Sequence, residues 1–149
     1  MALLNDQIRQ QLHDRFAETL KEPVELTLYT RPGTGRLILP SGLGCATCDD
    51  ARALAEELAA AAPDLVKLDV VDVTSEETQV IEVPTLTLAA AGQQARIRWQ
   101  GLPSGFEFAT VVDAIERASS GELGLSPETT AALERLSEPV EVMVFATPT

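Results

Sequence analysis

The strongest constraint on the fold of this chain is a strand–helix–strand unit that contains its only two cysteines. Residues 24–30 alternate apolar and polar side chains and are rich in strand-forming residues, which predicts a strand. Residues 46–62 place apolar side chains at helical spacing, and residues 65–73 form an apolar run that predicts a second strand. Cys45 and Cys48 therefore lie where the helix of a predicted β-α-β unit begins.

Local signals predict the remaining elements on both sides of this unit. Ser104 with Glu107 matches a capping box, and Ser126 followed by Pro127 matches a cap with proline at the first helical position. Glycine and proline recur over residues 31–44, which predicts a long loop before the cysteines. The other predicted elements are an amphipathic helix over 4–21, strands over 84–90 and 95–100, helices over 104–118 and 126–137, and a final strand over 140–146.

The composition excludes several classes of partner. The 149 residues carry a net charge of −12 without a cluster of lysine or arginine, so nucleic acid and anionic membranes are poor partners. The amino-terminal residues lack the pattern of a signal peptide, and no apolar stretch approaches the roughly 20 residues that a membrane helix needs. We therefore expect a cytoplasmic protein, in which two cysteines favour a catalytic or metal-binding role over a permanent structural disulfide.

Three interpretations of the cysteine pair are open from the residues alone. A zinc site needs about four ligands, and because His13 is the only histidine, two chains would have to share their cysteines. An inert pair is the second interpretation. The third is redox exchange, in which the helix start stabilises Cys45 as the nucleophilic thiolate and Cys48, one turn later, is the resolving thiol. Asp49 and Asp50 suit the helix dipole but oppose a nearby thiolate, so we expect a reducing or intermediate couple.

A repeat indicates that the chain contains the start of a second unit. The segment EPVELTLYTRP begins at Glu22 and EPVEVMVFATP begins at Glu138, each behind a predicted helix. Tandem copies of one module would produce this repeat, although a Glu-Pro pair before a strand can also recur by chance. We predict one domain over residues 1–119, followed over 120–149 by a linker, a helix and the first strand of a truncated second unit. An unpaired apolar strand over 140–146 should pair with the first sheet or form a dimer with a second copy of the chain.

Three motifs together resemble the thioredoxin superfamily: CATC over residues 45–48, Val83-Pro84-Thr85, and GLPSGFEF over residues 101–108. The third motif is similar to one in the tandem glutaredoxin-like protein disulfide oxidoreductases, which are related to the double domain that precedes the flavoprotein part of alkyl hydroperoxide reductase. The resemblance implies a thioredoxin-like α/β fold in which a central mixed sheet is flanked by helices. It also implies a cis peptide bond before Pro84, with Val83, Pro84 and Thr85 binding a substrate peptide.

The resulting prediction is a thiol–disulfide oxidoreductase in which Cys45 attacks protein disulfides and Cys48 releases the reduced product. The redox-active group is the Cys45–Cys48 disulfide, so no metal or organic cofactor is expected. Its partners would be protein disulfides and a dithiol or flavoprotein reductant. Two alternatives remain open: an electron-relay domain between a flavin reductase and a peroxidase, and a redox-inactive docking module. The long loop before Cys45 and the Ala46-Thr47 pair depart from the usual pattern of the superfamily.

Overall fold

The computed structural model describes residues 3–32, 44–73 and 82–146. Most of the predicted loop over 31–44, the polar segment predicted after residue 73 and the last three residues lie outside the described residues. Among the described residues, no helix combines the length and the apolar character that crossing a bilayer requires. The helices and strands of the described chain are, in order, α1 (Asp6–Thr19), β1 (Val24–Thr30), α2 (Cys48–Ala61), β2 (Val66–Asp72), β3 (Thr85–Ala90), β4 (Ile97–Gln100), α3 (Phe106–Ser120) and α4 (Pro127–Glu134).

The strands form one mixed sheet in the order β2-β1-β3-β4. β1 runs parallel to β2 and antiparallel to β3, and β4 completes a hairpin with β3. Leu26 of β1 lies opposite Leu68 of β2 on one side and Leu88 of β3 on the other, so apolar side chains of three strands share one face of the sheet. This mixed sheet and the helices that pack on it confirm the predicted thioredoxin-like α/β class.

The predicted alternation of the first strand is also its pattern of burial. β1 begins at Val24 and ends at Thr30, as predicted, and every second side chain from one end to the other is buried. α2 packs on β1 and β2, α3 packs on β1 and β3, and α1 contacts both helices. Phe16 of α1, Leu58 of α2 and Ile115 of α3 are fully buried in the same hydrophobic cluster as this strand face. Burying each of these side chains contributes about 1.5–3 kcal/mol to folding. Because the cluster joins β1 to α2, it holds the two elements against each other.

The two predicted helix starts behave differently. Ser126 caps α4 as predicted, because its hydroxyl accepts a hydrogen bond from the Thr129 amide at 3.2 Å. The capping box predicted at Ser104 is wrong, since α3 begins at Phe106 and its N-cap is Gly105, which makes no side-chain capping bond. Gly105 has a φ of 59°, a left-handed conformation that glycine adopts without the steric penalty of a Cβ atom. The backbone conformation of a glycine, rather than a serine hydroxyl, therefore sets the start of α3.

After α3, every residue from 121 to 146 is exposed. The prediction of a strand over 140–146 is wrong for this chain, because that segment has no regular structure and makes no ladder within the described part of the chain. A strand needs neighbouring backbone to complete its hydrogen bonds, and an apolar pattern does not supply it. Glu141 of this segment forms an exposed ion pair with Arg98 of β4, at 2.8 Å. The assignment of residues 120–149 to a second unit stays a prediction.

Candidate functional site

Cys45 and Cys48 form a disulfide bond at the amino-terminal end of α2. Cys48 is the first residue of the helix and is 1% exposed, whereas Cys45 precedes the helix and is 5% exposed. The predicted helix start at residue 46 is too early, since Thr47 is the N-cap and its carbonyl accepts the first helical hydrogen bond, from the Ala51 amide at 2.9 Å. Cys45 therefore lies in the connection that precedes the helix, and Cys48 lies buried in the first helical turn.

The disulfide lies at the positive end of a helix whose first turn also carries two exposed aspartates. The amino-terminal end of a helix carries a partial positive charge, which stabilises a thiolate at that position. Asp49 and Asp50 occupy the first turn of α2, and both residues are exposed. Because solvent and salt screen exposed charges more than they screen a buried helix end, these carboxylates should moderate the stabilisation of the thiolate without cancelling it.

The backbone of Val83 lies next to the disulfide, although 38 residues separate it from Cys45 along the chain. The Cys45 Sγ atom is 3.7 Å from the Val83 carbonyl oxygen, so that the thiol of reduced Cys45 could donate to this carbonyl. The peptide bond between Val83 and Pro84 is cis. Pro84 and Thr85 are buried, whereas Val83 is partly exposed. The fold thus brings together the cysteine pair and the Val83-Pro84-Thr85 motif, which lie far apart in the sequence.

Hydrogen bonds hold this turn in place on both sides. The Thr85 hydroxyl donates to the Glu82 carbonyl at 2.7 Å, which closes the turn into β3. The Gly101 amide donates to the Pro84 carbonyl at 2.8 Å, which ties the end of β4 to the same turn. The third sequence motif therefore begins in contact with the second. The sequence identified the motif but did not predict this hydrogen bond. The one local sign of a tight backbone turn at this position is Gly101, which has a φ of 97°.

The only histidine, His13 of α1, lies beside the carboxy-terminal end of α2. Its Nδ1 atom is 2.9 Å from the carbonyl oxygen of Ala61, the last residue of the helix, whereas the cysteines lie at the first. A helix of 14 residues is about 20 Å long, so His13 cannot join Cys45 and Cys48 around one metal ion within a chain. Within the described ranges, no three histidine, cysteine, aspartate or glutamate side chains form a group that could hold a metal ion.

Comparisons with solved structures support the fold. No family model matches the sequence, and a search of curated proteins found no match. Among solved structures, a protein disulfide oxidoreductase from Aeropyrum pernix is 28% identical with a TM-score of 0.71, over 91% of this chain and 57% of that one. The alkylhydroperoxide reductase AhpF from Enterococcus faecalis is 19% identical with a TM-score of 0.69, over 89% of this chain and 61% of that one. A structure of the amino-terminal domain of the same reductase is also 19% identical, with a TM-score of 0.66, over 86% of this chain and 58% of that one. The chain therefore spans about three fifths of the length of the proteins it resembles.

Proposed function

We propose that this thioredoxin-superfamily chain is a thiol–disulfide oxidoreductase that exchanges electrons with protein disulfides. The observation that carries the proposal is the Cys45–Cys48 disulfide at the start of α2, in contact with the carbonyl that precedes a cis proline. The 28% identity over nearly the whole chain to a protein disulfide oxidoreductase supports the same activity here. The glutaredoxin-like or thioredoxin-like character of the activity is part of the proposal.

The reaction begins from the reduced pair, and the two cysteines have different roles. The Cys45 thiolate attacks one sulfur of a substrate disulfide, so that a mixed disulfide forms, the substrate S–S bond breaks and the first substrate thiolate leaves. The Cys48 thiolate then attacks the Cys45 sulfur, which closes the Cys45–Cys48 disulfide and releases the second substrate thiolate. Two electrons pass from the cysteine pair to the substrate, and the two released thiolates take up protons from solvent.

The difference in exposure supports this order of attack. Cys45 is on the connection before α2 and is the more exposed of the two, so an incoming disulfide meets it first. Cys48 is nearly inaccessible in the first helical turn, yet its Cα atom is only 5.5 Å from that of Cys45. A covered thiol at this distance attacks an intramolecular mixed disulfide far more readily than it attacks a separate molecule.

The turn at Val83 provides a backbone surface beside the reacting sulfur. A substrate segment in extended conformation would pair with the backbone of Val83, a partly exposed residue, while its cystine reaches Cys45. The buried ring of Pro84 and the buried side chain of Thr85 hold that backbone in position. The pair is returned to its reduced state by a reductant of the dithiol class or by a flavoprotein. A cytoplasmic setting, where dithiol reductants are maintained, belongs to the same proposal.

Insulin reduction in the presence of dithiothreitol tests the proposal. We expect the wild-type chain to accelerate the reaction and Cys45→Ser to lower the rate to that of dithiothreitol alone, because no nucleophile remains. Cys48→Ser should retain the first step and accumulate a mixed disulfide with the substrate, which mass spectrometry detects. Ala46→Ser is the matched control, since it adds a hydroxyl group at an exposed position of the same motif and keeps both cysteines. A wild-type rate equal to that of Cys45→Ser would refute the exchange activity.

The repeated segment supports a second proposal, which concerns the organisation of the chain. Residues 24–30 form the central strand of the sheet, paired with β2 on one side and β3 on the other. Residues 140–146 begin within a second copy of the EPVE sequence and expose their apolar side chains. This is what the first strand of a second thioredoxin-like unit would look like without the strands that pair with it. A dimer formed through the same segment is the alternative.

A further inference from the structure

Phe106 is exposed to an unusual degree for a phenylalanine in a helix. It is the first residue of α3 and is 86% exposed, whereas Phe108, two residues later, packs against the hydrophobic core. Leaving a phenyl ring in water forgoes the stabilisation that its burial would provide. The helix meets its packing requirement through Phe108 and Val111, so Phe106 is not needed for the core. Its exposure therefore indicates a role other than stabilising the fold.

A short stretch of backbone connects Phe106 to the turn that lies beside Cys45. The Gly101 amide is bonded to the Pro84 carbonyl at 2.8 Å, and Phe106 is only five residues further along the chain. The connection between them is compact, because the Ser104 amide donates to the Leu102 carbonyl at 2.9 Å. Even five fully extended residues would span only about 17 Å, so the ring lies within the length of a short peptide from the turn at Val83.

Among the described residues of the three sequence motifs, Phe106 is the only large apolar side chain that is exposed. Cys45, Pro84 and Thr85 are buried, and the side chain that precedes Val83 is the exposed carboxylate of Glu82. Phe145 is equally exposed, at 90%, but it belongs to a segment without regular structure, and no hydrogen bond among the described residues ties it to the site. Exposure together with attachment to the Pro84 turn distinguishes Phe106 from Phe145.

We infer that Phe106 is a specificity-determining residue that contacts a large apolar side chain next to the cystine of the substrate. The inference rests on the proposed disulfide exchange and adds a substrate class to it, namely disulfides flanked by aliphatic or aromatic residues. A side chain that covers the ring removes apolar surface of both groups from water, and this gain favours such peptides over polar ones. The residue acts on binding and does not touch the reacting sulfur atoms.

Two synthetic disulfide peptides, which differ only in a leucine or a serine beside the cystine, test the inference. We expect the wild-type chain to reduce the leucine peptide with a kcat/KM about fivefold to tenfold above that for the serine peptide. Phe106→Ala should bring this ratio close to one, mainly through KM for the leucine peptide, and Phe106→Leu should retain most of it. Phe145→Ala is the matched control, because it removes an equally exposed ring and should keep the wild-type ratio.

The outcomes separate the inference from the proposed function. A wild-type ratio near one, an unchanged ratio in Phe106→Ala, or an equal loss in Phe145→Ala would overturn the role of Phe106 while leaving disulfide exchange in place. A wild-type chain that reduces neither peptide faster than Cys45→Ser would overturn both. Loss of the preference in Phe106→Ala alone supports the inference.

Discussion

Ser119 shows how much a single buried hydroxyl can contribute in this chain. It is 2% exposed near the end of α3, where its Oγ atom accepts hydrogen bonds from the Lys21 and Glu22 amides at 2.9 and 3.1 Å. The same hydroxyl donates to the Glu22 carbonyl at 2.6 Å. These three bonds fasten the turn before β1 to the last turn of α3, and they satisfy backbone groups that the turn itself leaves open.

Replacing this hydroxyl should cost more than replacing an exposed one. We expect Ser119→Ala to lower the free energy of unfolding by about 1–3 kcal/mol, because two partly buried hydrogen bonds from backbone amides lose their acceptor. Urea denaturation followed by circular dichroism measures this change. Ser104→Ala serves as the control, since the structure gives Ser104 no capping role, and it should shift the free energy by less than about 0.5 kcal/mol. Equal effects of the two substitutions would contradict this account of Ser119.

At the scale of single residues, sequence reasoning succeeded where the signal is local. The cap at Ser126 was predicted because a capping hydroxyl bonds to a backbone amide only a few residues away. The capping box at Ser104 has the same kind of pattern, but the left-handed conformation of Gly105 moves the start of α3 past it. That conformation depends on where the loop must go between β4 and α3, which no window of sequence contains.

At the scale of elements, α1 is attached to the rest of the domain by polar groups as well as by its buried side chains. The Arg15 guanidinium donates to both carboxylate oxygens of Glu116 on α3, at 2.6 Å each. The hydrogen bond with Glu116 raises the pKa of Arg15 above its ordinary value. Thr19 also donates to this carboxylate, at 3.0 Å. The Glu116 side chain is only 15% exposed, so this pair is screened less than one fully in solvent.

Removing Glu116 should therefore weaken the contact between α1 and α3. We expect Glu116→Ala to reduce the free energy of unfolding by about 1–2 kcal/mol, since a bidentate, partly buried ion pair is stronger than a surface pair. Asp113→Ala is a matched substitution on the same helix, where the carboxylate pairs with Arg117 and both side chains are about half exposed. It should change stability by no more than about 0.5 kcal/mol. The midpoints of urea denaturation at low salt measure both effects. A larger effect of Asp113→Ala than of Glu116→Ala would refute the stronger contribution of the Arg15–Glu116 pair.

At the scale of the whole molecule, the described hydrophobic core receives no side chain from the segment after α3. No residue from 121 to 146 is buried, and α4 contributes none of its side chains to the core. The carboxy-terminal segment nevertheless presents an apolar surface, with Val142, Val144 and Phe145 all more than 80% exposed. Surfaces of this kind tend to associate with another chain or another domain.

Truncation after Leu125 tests both properties of the carboxy-terminal segment. We expect the shortened chain to unfold cooperatively, with a free energy of unfolding within about 1 kcal/mol of the full chain, because only exposed contacts such as Arg98–Glu141 are lost. Sedimentation velocity should show self-association of the full chain and less of it after truncation. Loss of cooperative unfolding would mean that the domain extends beyond residue 119. Equal self-association of both chains would show that the apolar segment is not the interface.

The sequence by itself determined the properties that arise between near neighbours in the chain. The alternation of residues 24–30 predicted both ends of β1, and a separation of three residues keeps Cys45, just before α2, within reach of Cys48 in its first turn. Tertiary structure decided what depends on distant segments. It placed the Val83 carbonyl next to Cys45. It also left residues 140–146 without a strand, although they begin within the same EPVE sequence as β1. The physical reason is that a strand is completed by hydrogen bonds to other strands, and β1 has two such partners whereas residues 140–146 have none within the described chain.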